Sequence, residues 1–197
     1  MRRLCLLVGG LLAAPAAMAQ TAVPAWGLGA LMREMARVRA ATASFTERQT
    51  SPLLSAPLLA QGTLTYAAPD YMRKTTLAPV LESFTLAGDR ITMTGGADGG
   101  THVFPVSAAP QIGGLVEGIR ATLAGDASTL TRLYTVRLSG GAAGWQLLLR
   151  PRDAKLARLV RSIDIRGSQD RIEAIDTLSP DGGDSAMSIS ETVTDAP

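Results

Sequence analysis

The sequence predicts an α+β domain that consists mainly of antiparallel β-sheet. Short segments in which apolar and polar residues alternate recur along most of the chain. Turns rich in Gly, Pro, Asp and Ser separate these segments at intervals of roughly 8–12 residues, as in sheets built from hairpins. Only two stretches have apolar residues at helical spacing, and no β-α-β alternation is present. We therefore expect consecutive strands to pair with each other.

A first helix is predicted over residues 28–40, because one side of this stretch is apolar. The stripe consists of Leu28, Leu31, Met32, Met35 and Val38. Residues 42–50 are predicted as a first strand with Phe45 on its inner face. Residues 51–60 follow with two prolines and four leucines. This segment has too many prolines for a central strand and is too apolar for an ordinary surface loop.

The next part of the chain predicts a series of hairpins. Its strands are expected at residues 62–66, 71–77, 81–86, 91–93 and 101–105. Leu64 and Tyr66 share one face of the first of these strands. The pairs that share a face in the third and fourth are Phe84 with Leu86 and Ile91 with Met93. In the second strand, Tyr71 and Met72 point in opposite directions, and the sequence leaves open which of them faces inward.

A second helix is predicted over residues 110–126. Its apolar stripe consists of Ile112, Leu115, Val116, Ile119 and Leu123. Pro110 and Gly125 suit its two ends. Three internal glycines, Gly113, Gly114 and Gly118, weaken it by up to about 1 kcal/mol each relative to alanine. A gap in packing, or a need to move, would tolerate that weakness.

The remainder of the chain predicts five more strands. They are expected at residues 130–138, 144–151, 157–167, 171–179 and 185–193. Tyr134 and Val136 share one face of the first, and Trp145 and Leu147 share one face of the second. The order is thus helix, five or six strands, helix and five strands, which favours a sandwich or a barrel.

The N-terminus has the pattern of a secretory signal peptide. "MRRLCLLVGGLLAAPAAMAQ" contains two arginines, an apolar run and the small residues Ala17-Met18-Ala19, so we expect cleavage after Ala19. The apolar run is shorter than the about 20 residues that span a bilayer. An N-terminal membrane anchor is the alternative. Residues 20–197 are expected to form one domain in the periplasm.

The composition excludes several classes of function. The 19 basic residues include Arg2 and Arg3, so the 17 that remain after cleavage balance the 17 acidic ones. A neutral protein gives no support for nucleic-acid binding. The one cysteine, Cys5, leaves with the signal, and His102 is the one histidine. Zinc sites of several His or Cys are therefore excluded. No cofactor motif is present, and we expect no cofactor and no enzyme activity.

The order of several short motifs resembles the LolA family of periplasmic lipoprotein carriers. "ASFTE", "QGTLTYAAPDYMRK", "LESFTLAGDRITM" and "QIGGLVEGIRATLAGD" occur in the family's order, and the resemblance covers nearly the whole mature chain. It implies an unclosed, strongly curved antiparallel β-barrel of about 10–11 strands with helices over its concave face. Those helices act as a lid.

The resemblance also implies a function. Such a protein shelters the acyl chains of lipoproteins or other lipids in an apolar cavity, because each buried methylene contributes about 0.8 kcal/mol. Its partners would be an inner-membrane transporter that donates the cargo and an outer-membrane acceptor, and the carrier would be a monomer. The predicted cavity and lid residues are Met32, Met35, Phe45, Leu64, Tyr66, Met72, Phe84, Leu86, Ile91, Met93, Ile112, Leu115, Val116, Ile119, Tyr134, Val136, Trp145 and Leu147. For each of them, ordinary core packing is the alternative.

Two departures from the family pattern bear on the lid. The family has an arginine before the turn proline that fastens the lid, and Ala68 stands there. Arg73 or Lys74 are candidate replacements. Glu47 occupies a position where glutamine is common. The chain therefore resembles the looser LolA-related group. Two further hypotheses stay open: an envelope sensor or interaction module with a LolA-like ligand-binding domain, and an enzyme that uses His102.

Overall fold

The computed structural model describes residues 26–96 and 99–191. They form one eleven-stranded antiparallel sheet, with strands in the order β6-β5-β4-β3-β2-β1-β11-β10-β9-β8-β7. Four α-helices accompany the sheet in these residues. The predicted α+β fold with an unclosed sheet is therefore confirmed. The predicted signal peptide, residues 1–19, lies outside the described residues.

The sheet has two wings, which meet where β1 pairs with β11. The N-terminal wing contains β1 (Ala40–Thr50), β2 (Leu58–Ala67), β3 (Tyr71–Ala78), β4 (Glu82–Ala87), β5 (Arg90–Gly95) and β6 (Thr101–Pro105). The C-terminal wing contains β7 (Tyr134–Gly141), β8 (Gly144–Pro151), β9 (Ser162–Ser168), β10 (Arg171–Leu178) and β11 (Asp184–Glu191). The helices are α1 (Leu28–Met35), α2 (Pro110–Leu123), α3 (Ala127–Leu133) and α4 (Ala154–Ala157), and a 3₁₀ turn, Val106–Ala108, precedes α2.

One face of this sheet, here the inner face, is apolar over most of its area. Paired residues in neighbouring strands point to the same side. The register connects Phe45 to Ile189 and to Gly62, and it connects Tyr66 to Met72. Following the paired residues from strand to strand identifies the inner-face residues of the remaining strands. Among them are Leu86, Ile91, Phe104, Ile175, Ile165, Leu147 and Val136. Met72 therefore faces inward and Tyr71 outward, which answers the question that the sequence left open.

The sheet must curl, because one helix contacts both of its ends. Eleven strands about 4.8 Å apart would place β6 and β7 roughly 48 Å from each other in a flat sheet. Yet α2 packs through Ile112 and Val116 against the β4–β6 end, and through Leu115 and Ile119 against the β7–β9 end. A helix is only about 10–12 Å wide. The inner face is therefore the concave one, and the helices lie within the curve.

A glycine on the inner face marks a point of irregular register in each wing. A Cβ on Gly62 would lie 1.9 Å from the Thr75 carbonyl oxygen and 2.9 Å from the Phe45 ring. A Cβ on Gly167 would lie 1.9 Å from a backbone oxygen and 2.6 Å from the Trp145 ring. The β2–β3 and β9–β10 registers shift beside these glycines. Bulges and glycines of this kind bend and twist strands, so they favour the observed curvature.

The helices differ most from the sequence prediction. α1 ends at Met35 rather than at residue 40, because residues 36–38 close it with a turn before β1 begins. Residues 130–133 belong to α3 and not to a strand, since Asp126 caps this helix by accepting a hydrogen bond from the Thr129 backbone N–H at 2.9 Å. β2 begins at Leu58, inside the proline-containing segment that we expected to be unsuitable for a central strand. Among the described residues, none of the helices has the length and apolar character needed to cross a bilayer.

Candidate functional site: the inner face and its helical cover

The C-terminal wing has a thick apolar cover. Its inner face and the helices share one cluster of buried side chains that contains Leu31, Met35, Leu130, Tyr134, Leu147, Leu149, Ile163 and Ile165, each fully shielded from solvent. Side chains from α1, α2, α3 and α4 take part in this cluster or pack against it. Such a region is a close-packed core.

The N-terminal wing has a thin cover. Among the described residues, its cluster has three buried members, Leu86 of β4, Ile91 of β5 and Val116 of α2. Met72, Phe84, Phe104, Val106 and Ile112 are partly buried and pack around them. Within residues 26–96 and 99–191, the covering residues of this cluster come from α2 and the 3₁₀ turn before it. The apolar parts of the inner face in the two wings are thus covered to very different depths.

Side chains of neighbouring elements pack closely against the glycines of α2. A Cβ on Gly114 would lie 2.0 Å from a methyl carbon of Leu156 in α4, and one on Gly118 would lie 3.1 Å from the Tyr134 ring. A Cβ on Gly113 would lie 3.0 Å from Val106. Of the two explanations that the sequence offered, a gap in packing is wrong, because neighbouring side chains occupy the space that a Cβ would need. A need to move remains a prediction.

Tyr134 ties α2 to the C-terminal wing. Its side chain is fully buried, and its hydroxyl group donates a hydrogen bond to the Gly114 carbonyl oxygen within α2. Arg152 Nε donates to the Tyr134 carbonyl oxygen at 2.9 Å and holds the start of β7 from the other side. Burial, with a smaller contribution from the negative charge of Glu117, raises the pKa of Tyr134 to about 12. The phenol therefore remains a hydrogen-bond donor at any physiological pH.

A polar group crosses the inner face where the wings join. Glu47 of β1 accepts hydrogen bonds from Lys74 of β3 and from the Ser185 hydroxyl of β11. The Lys74 ammonium also lies 4.9 Å from the centroid of the Phe45 ring, a cation–π geometry. Burial alone would raise the pKa of Glu47, but the hydrogen bonds from Lys74 and Ser185 and the Lys74 charge outweigh it and lower that pKa. Glu47 is therefore ionised although its side chain is only 5% exposed.

A cleft of about 270 Å³ leads from the surface to the thin cluster of the N-terminal wing. Leu86 and Val116 belong to its wall, and both are also members of that cluster. The charged residues in its lining are Asp70, Asp89, Glu117 and Arg120. The Arg120 guanidinium binds both Glu117 carboxylate oxygens, at 2.5 and 2.9 Å. An apolar wall with charged groups beside it suits an amphiphilic ligand.

Tyr66 has a buried hydroxyl group close to this cleft. It faces inward from β2, is 4% exposed, and its hydroxyl oxygen has no hydrogen-bond partner among the described residues. Burial raises the pKa of Tyr66, and the charges of Arg120, Arg39 and Asp70 act on it as well. A buried, unpartnered phenol costs free energy. It is a candidate group for contact with a polar atom of a ligand.

The structure brings most of the predicted site residues together, but in two groups. Those in or against the C-terminal cluster are Met32, Met35, Leu115, Ile119, Tyr134, Val136, Trp145 and Leu147. Those in or against the N-terminal cluster are Met72, Phe84, Leu86, Ile91, Ile112 and Val116. Phe45, Leu64, Tyr66 and Met93 also face inward but belong to neither cluster. Met93 is 39% exposed.

Several residues of this region were not predicted. Leu156 lies in α4, and the signal for that helix was present, because Asp153 stands before good helix formers and caps it by accepting from two backbone N–H groups. Asp70 and Arg120 were missed because charges 50 positions apart give no local pattern. Of the candidate lid fasteners, Lys74 is bound within the sheet and Arg73 is exposed on the outer face. His102 lies exposed in β6, opposite Met93.

The comparison with protein families decides the membership of this chain. The model of the family described as "Outer membrane lipoprotein carrier protein LolA-like" matches residues 17–196. The chain belongs to the LolA-like family. No curated protein matches the sequence.

Three solved structures resemble the fold at low identity. The LolA superfamily protein NE2245 from Nitrosomonas europaea is 11% identical, with a TM-score of 0.43 over 85% of this chain and 93% of that one. A putative outer membrane lipoprotein-sorting protein domain from Vibrio parahaemolyticus is 8% identical, with a TM-score of 0.46 over 84% and 91%. MucB in complex with MucA(peri) is 14% identical, with a TM-score of 0.41 over 84% and 55%. These similarities are too low for a conclusion about function.

Proposed function

We propose that this protein is a periplasmic carrier that shelters the acyl chains of lipoproteins or other acylated molecules during transfer between the inner and outer membranes. The observation that supports the proposal best is the unequal cover of the inner face. The apolar inner face is close-packed on the C-terminal wing, but the β4–β6 end of the N-terminal wing is covered by few side chains, beside an open cleft. Membership of the LolA-like family supplies the class of cargo.

The cargo enters between α2 and the N-terminal wing. The cleft there has a volume of about 270 Å³, which is less than the about 300–1,000 Å³ of typical ligand pockets. An acyl chain therefore needs α2 and strands β4–β6 to move apart. Few buried contacts hold them together, so the cost of separation is small. Each methylene of the chain that leaves water contributes about 0.8 kcal/mol in return.

The helix remains with the C-terminal wing during this movement. Tyr134 donates a hydrogen bond to its Gly114 carbonyl oxygen, and Leu156 and Tyr134 pack against its glycines. On the other side, Val116 and Ile112 make apolar contacts with the cluster of the N-terminal wing, and the Arg120 charge interacts with Asp70 across the open cleft. Apolar contacts are non-directional and re-form with a hydrocarbon chain in place of the strand residues. The N-terminal wing is thus the half of the sheet that separates from α2 when an acyl chain enters.

The polar end of the cargo stays at the charged part of the cleft. Asp70, Glu117 and Arg120 keep this region hydrated, and the Tyr66 hydroxyl lies buried near them without a hydrogen-bond partner in the described part of the chain. An ester or amide carbonyl next to the acyl chain would accept a hydrogen bond from Tyr66. Carbonyl groups of this kind link acyl chains to both lipids and lipoproteins.

The proposal includes export and handover. A signal peptide cleaved after Ala19 places the protein in the periplasm, an inner-membrane transporter donates the cargo, and an outer-membrane protein accepts it. Holding an acyl chain requires solvent exclusion and no reactive group, so we propose neither an enzyme activity nor a cofactor. The carrier acts as a monomer and has no role in nucleic-acid binding.

Fluorescence quenching by a brominated fatty acid tests both acyl-chain binding and the proposed location of the acyl chain at the N-terminal wing. The native tryptophans, Trp26 and Trp145, report on the C-terminal cluster, since both belong to it or pack against it. A Phe104→Trp variant adds a reporter at the N-terminal cluster. We expect dibromostearic acid to quench the added tryptophan strongly and the native ones weakly. Val103→Trp, one position away on the outer face of β6, is the matched control and stays unquenched.

The possible results separate the two parts of the proposal. Strong quenching of the native tryptophans alone would contradict the assignment to the N-terminal wing. Absence of saturable quenching in every variant would contradict acyl-chain binding, and with it the carrier function. A protein of the envelope-sensor class that binds no acyl chain would give this second result.

A further inference from the structure

An apolar edge projects from the end of the N-terminal wing. It is formed by seven exposed side chains in the β1–β2 and β3–β4 connections and the adjoining strand ends, namely Leu53, Leu54, Leu58, Leu59, Leu77, Val80 and Leu81. Leu53 is 92% exposed, and Leu59 and Leu81 are each about two-thirds exposed. Single exposed leucines are ordinary on protein surfaces, but a contiguous group of this size marks an interaction site.

The two connections lie side by side. β2 begins where β3 ends, and the register pairs Gln61 with Ala78. The residues before Gln61 and after Ala78 therefore continue next to each other beyond the paired part of the strands. The apolar edge is thus one surface formed by the two connections and the adjoining strand ends. Prolines occupy positions 52, 57 and 79 within it.

The chemistry of this edge is that of a membrane-inserting surface. Neither residues 51–60 nor residues 77–81 contain a charged side chain. Side chains that enter the boundary between lipid headgroups and acyl chains must be uncharged, because charge is costly there. We propose that the apolar edge inserts into the surface of a lipid bilayer and docks the protein on the membrane.

The geometry disfavours a protein ligand of the usual kinds. β2 and β3 are paired on both sides, so their backbones offer no free edge to an added strand. The apolar side chains project from the two connections and from the adjoining ends of β2 and β3. Leu77 lines a cleft of about 280 Å³ on the outer face, but most of that lining consists of hydroxyl-bearing residues such as Ser44, Thr46 and Ser190, which do not suit an apolar ligand.

Insertion of this kind does not depend on electrostatic attraction. The chain without its predicted signal peptide carries equal numbers of basic and acidic residues. Binding driven by apolar burial is insensitive to salt, whereas attraction to anionic lipids weakens at high ionic strength. The inference also does not depend on the proposed carrier function, because a protein without cargo exposes the same leucines.

Vesicle flotation with the exported protein tests the inference. The vesicles consist of phosphatidylcholine alone or of equimolar phosphatidylethanolamine and phosphatidylglycerol. We expect binding to both, with less than about a twofold change between low and high salt, because the edge is uncharged. Leu53→Ser combined with Leu59→Ser should weaken binding at least about tenfold, since two leucines no longer leave water.

Leu159→Ser is the matched control. Leu159 is also exposed but lies between α4 and β9, in the connection that belongs to the C-terminal wing. This variant should bind vesicles like the unmodified protein. Thermal unfolding of all variants checks that they fold, and the substituted leucines are exposed, so we expect unchanged midpoints.

Three outcomes would overturn the inference. They are absence of vesicle binding, binding that high salt abolishes, and equal binding by the double variant. Light scattering that shows a dimer lost in the double variant, without vesicle binding, would assign the edge to a second copy of the chain. Quenching by dibromostearic acid should persist in the double variant. Its loss in all variants would contradict the carrier function and leave membrane docking intact.

Discussion

The two wings of the sheet have the same alternating pattern and differ in what covers them. In the C-terminal wing, four helices share a cluster in which Leu31, Leu147 and Ile165 are fully buried. In the N-terminal wing, α2 and a 3₁₀ turn cover a cluster with three buried members. The strands alone therefore do not decide whether an apolar face becomes a solid core or an openable wall. That property depends on where the helices are fastened.

Substitution of a core leucine in each wing gives the largest expected effect. Leu147→Ala removes a fully buried side chain of the thick cluster and should lower the free energy of unfolding by about 2–5 kcal/mol. Leu86→Ala makes the same chemical change in the thin cluster. There we expect a smaller loss of global stability and faster amide hydrogen exchange in β3–β6, while β7–β10 stay protected. Urea unfolding and hydrogen exchange measure the two quantities.

These two variants control for each other. Both remove the same atoms from a buried leucine of an inner-facing strand, so a difference between them reports the cover and not the residue. If Leu86→Ala accelerates exchange equally in both wings, the sheet opens as a unit. The distinction between a fixed and a yielding wing would then be incorrect.

The sheet was predictable because its signals are local. Alternation in single strands and turn residues between them predict the strands and their antiparallel pairing, and the structure confirms an antiparallel sheet that is not closed. Phe45 and Leu86 were assigned correctly to one face on parity alone. The segment that became α3 has β-branched residues and suggested a strand, but Asp126 as its cap outweighs their preference.

The cover of the site was less predictable because it depends on contacts between distant residues. The sequence shows the glycines of α2 but not that Leu156 and Tyr134 fill the space beside them. The pair Glu47–Lys74 spans three strands, and no spacing rule connects positions 47 and 74. Sequence patterns predict which face is apolar. They do not predict how deeply each part of that face is covered.

Substitution of Glu47 tests the junction of the wings, where β1 pairs with β11. Its expected effect on the free energy of unfolding is the second largest. Glu47→Gln removes the charge that Lys74 and Ser185 stabilise, and we expect a loss of about 1–3 kcal/mol, because a buried hydrogen-bonded charge is replaced. The folded protein lowers the pKa of Glu47, so its contribution is present above the pKa of the unfolded chain, near 4.3. It is lost as the pH falls through the lower folded value.

The measurement is the unfolding free energy between about pH 3 and pH 7, with the pKa of an unfolded glutamate inside that range. The unmodified protein should lose more stability towards acid than Glu47→Gln does. Glu34→Gln is the control, since Glu34 forms an exposed pair with Arg37 that contributes little. Equal acid sensitivity of the Glu47 variant and the unmodified protein would show that the junction does not depend on this charge.

Tyr134→Phe gives the smallest effect and addresses the fastening of α2 most directly. The variant keeps the buried ring but removes the hydrogen bond to Gly114, so we expect a loss of about 1 kcal/mol and faster hydrogen exchange in α2. The folded pKa is raised to about 12, so this contribution is complete below the unfolded pKa, near 10, and declines as the pH rises towards 12. The variant should lack that part of the alkaline decline. Tyr71→Phe, the same change on the outer face of β3, should leave exchange in α2 unaltered. If Tyr134→Phe also leaves it unaltered, glycine packing alone holds α2 on the C-terminal wing.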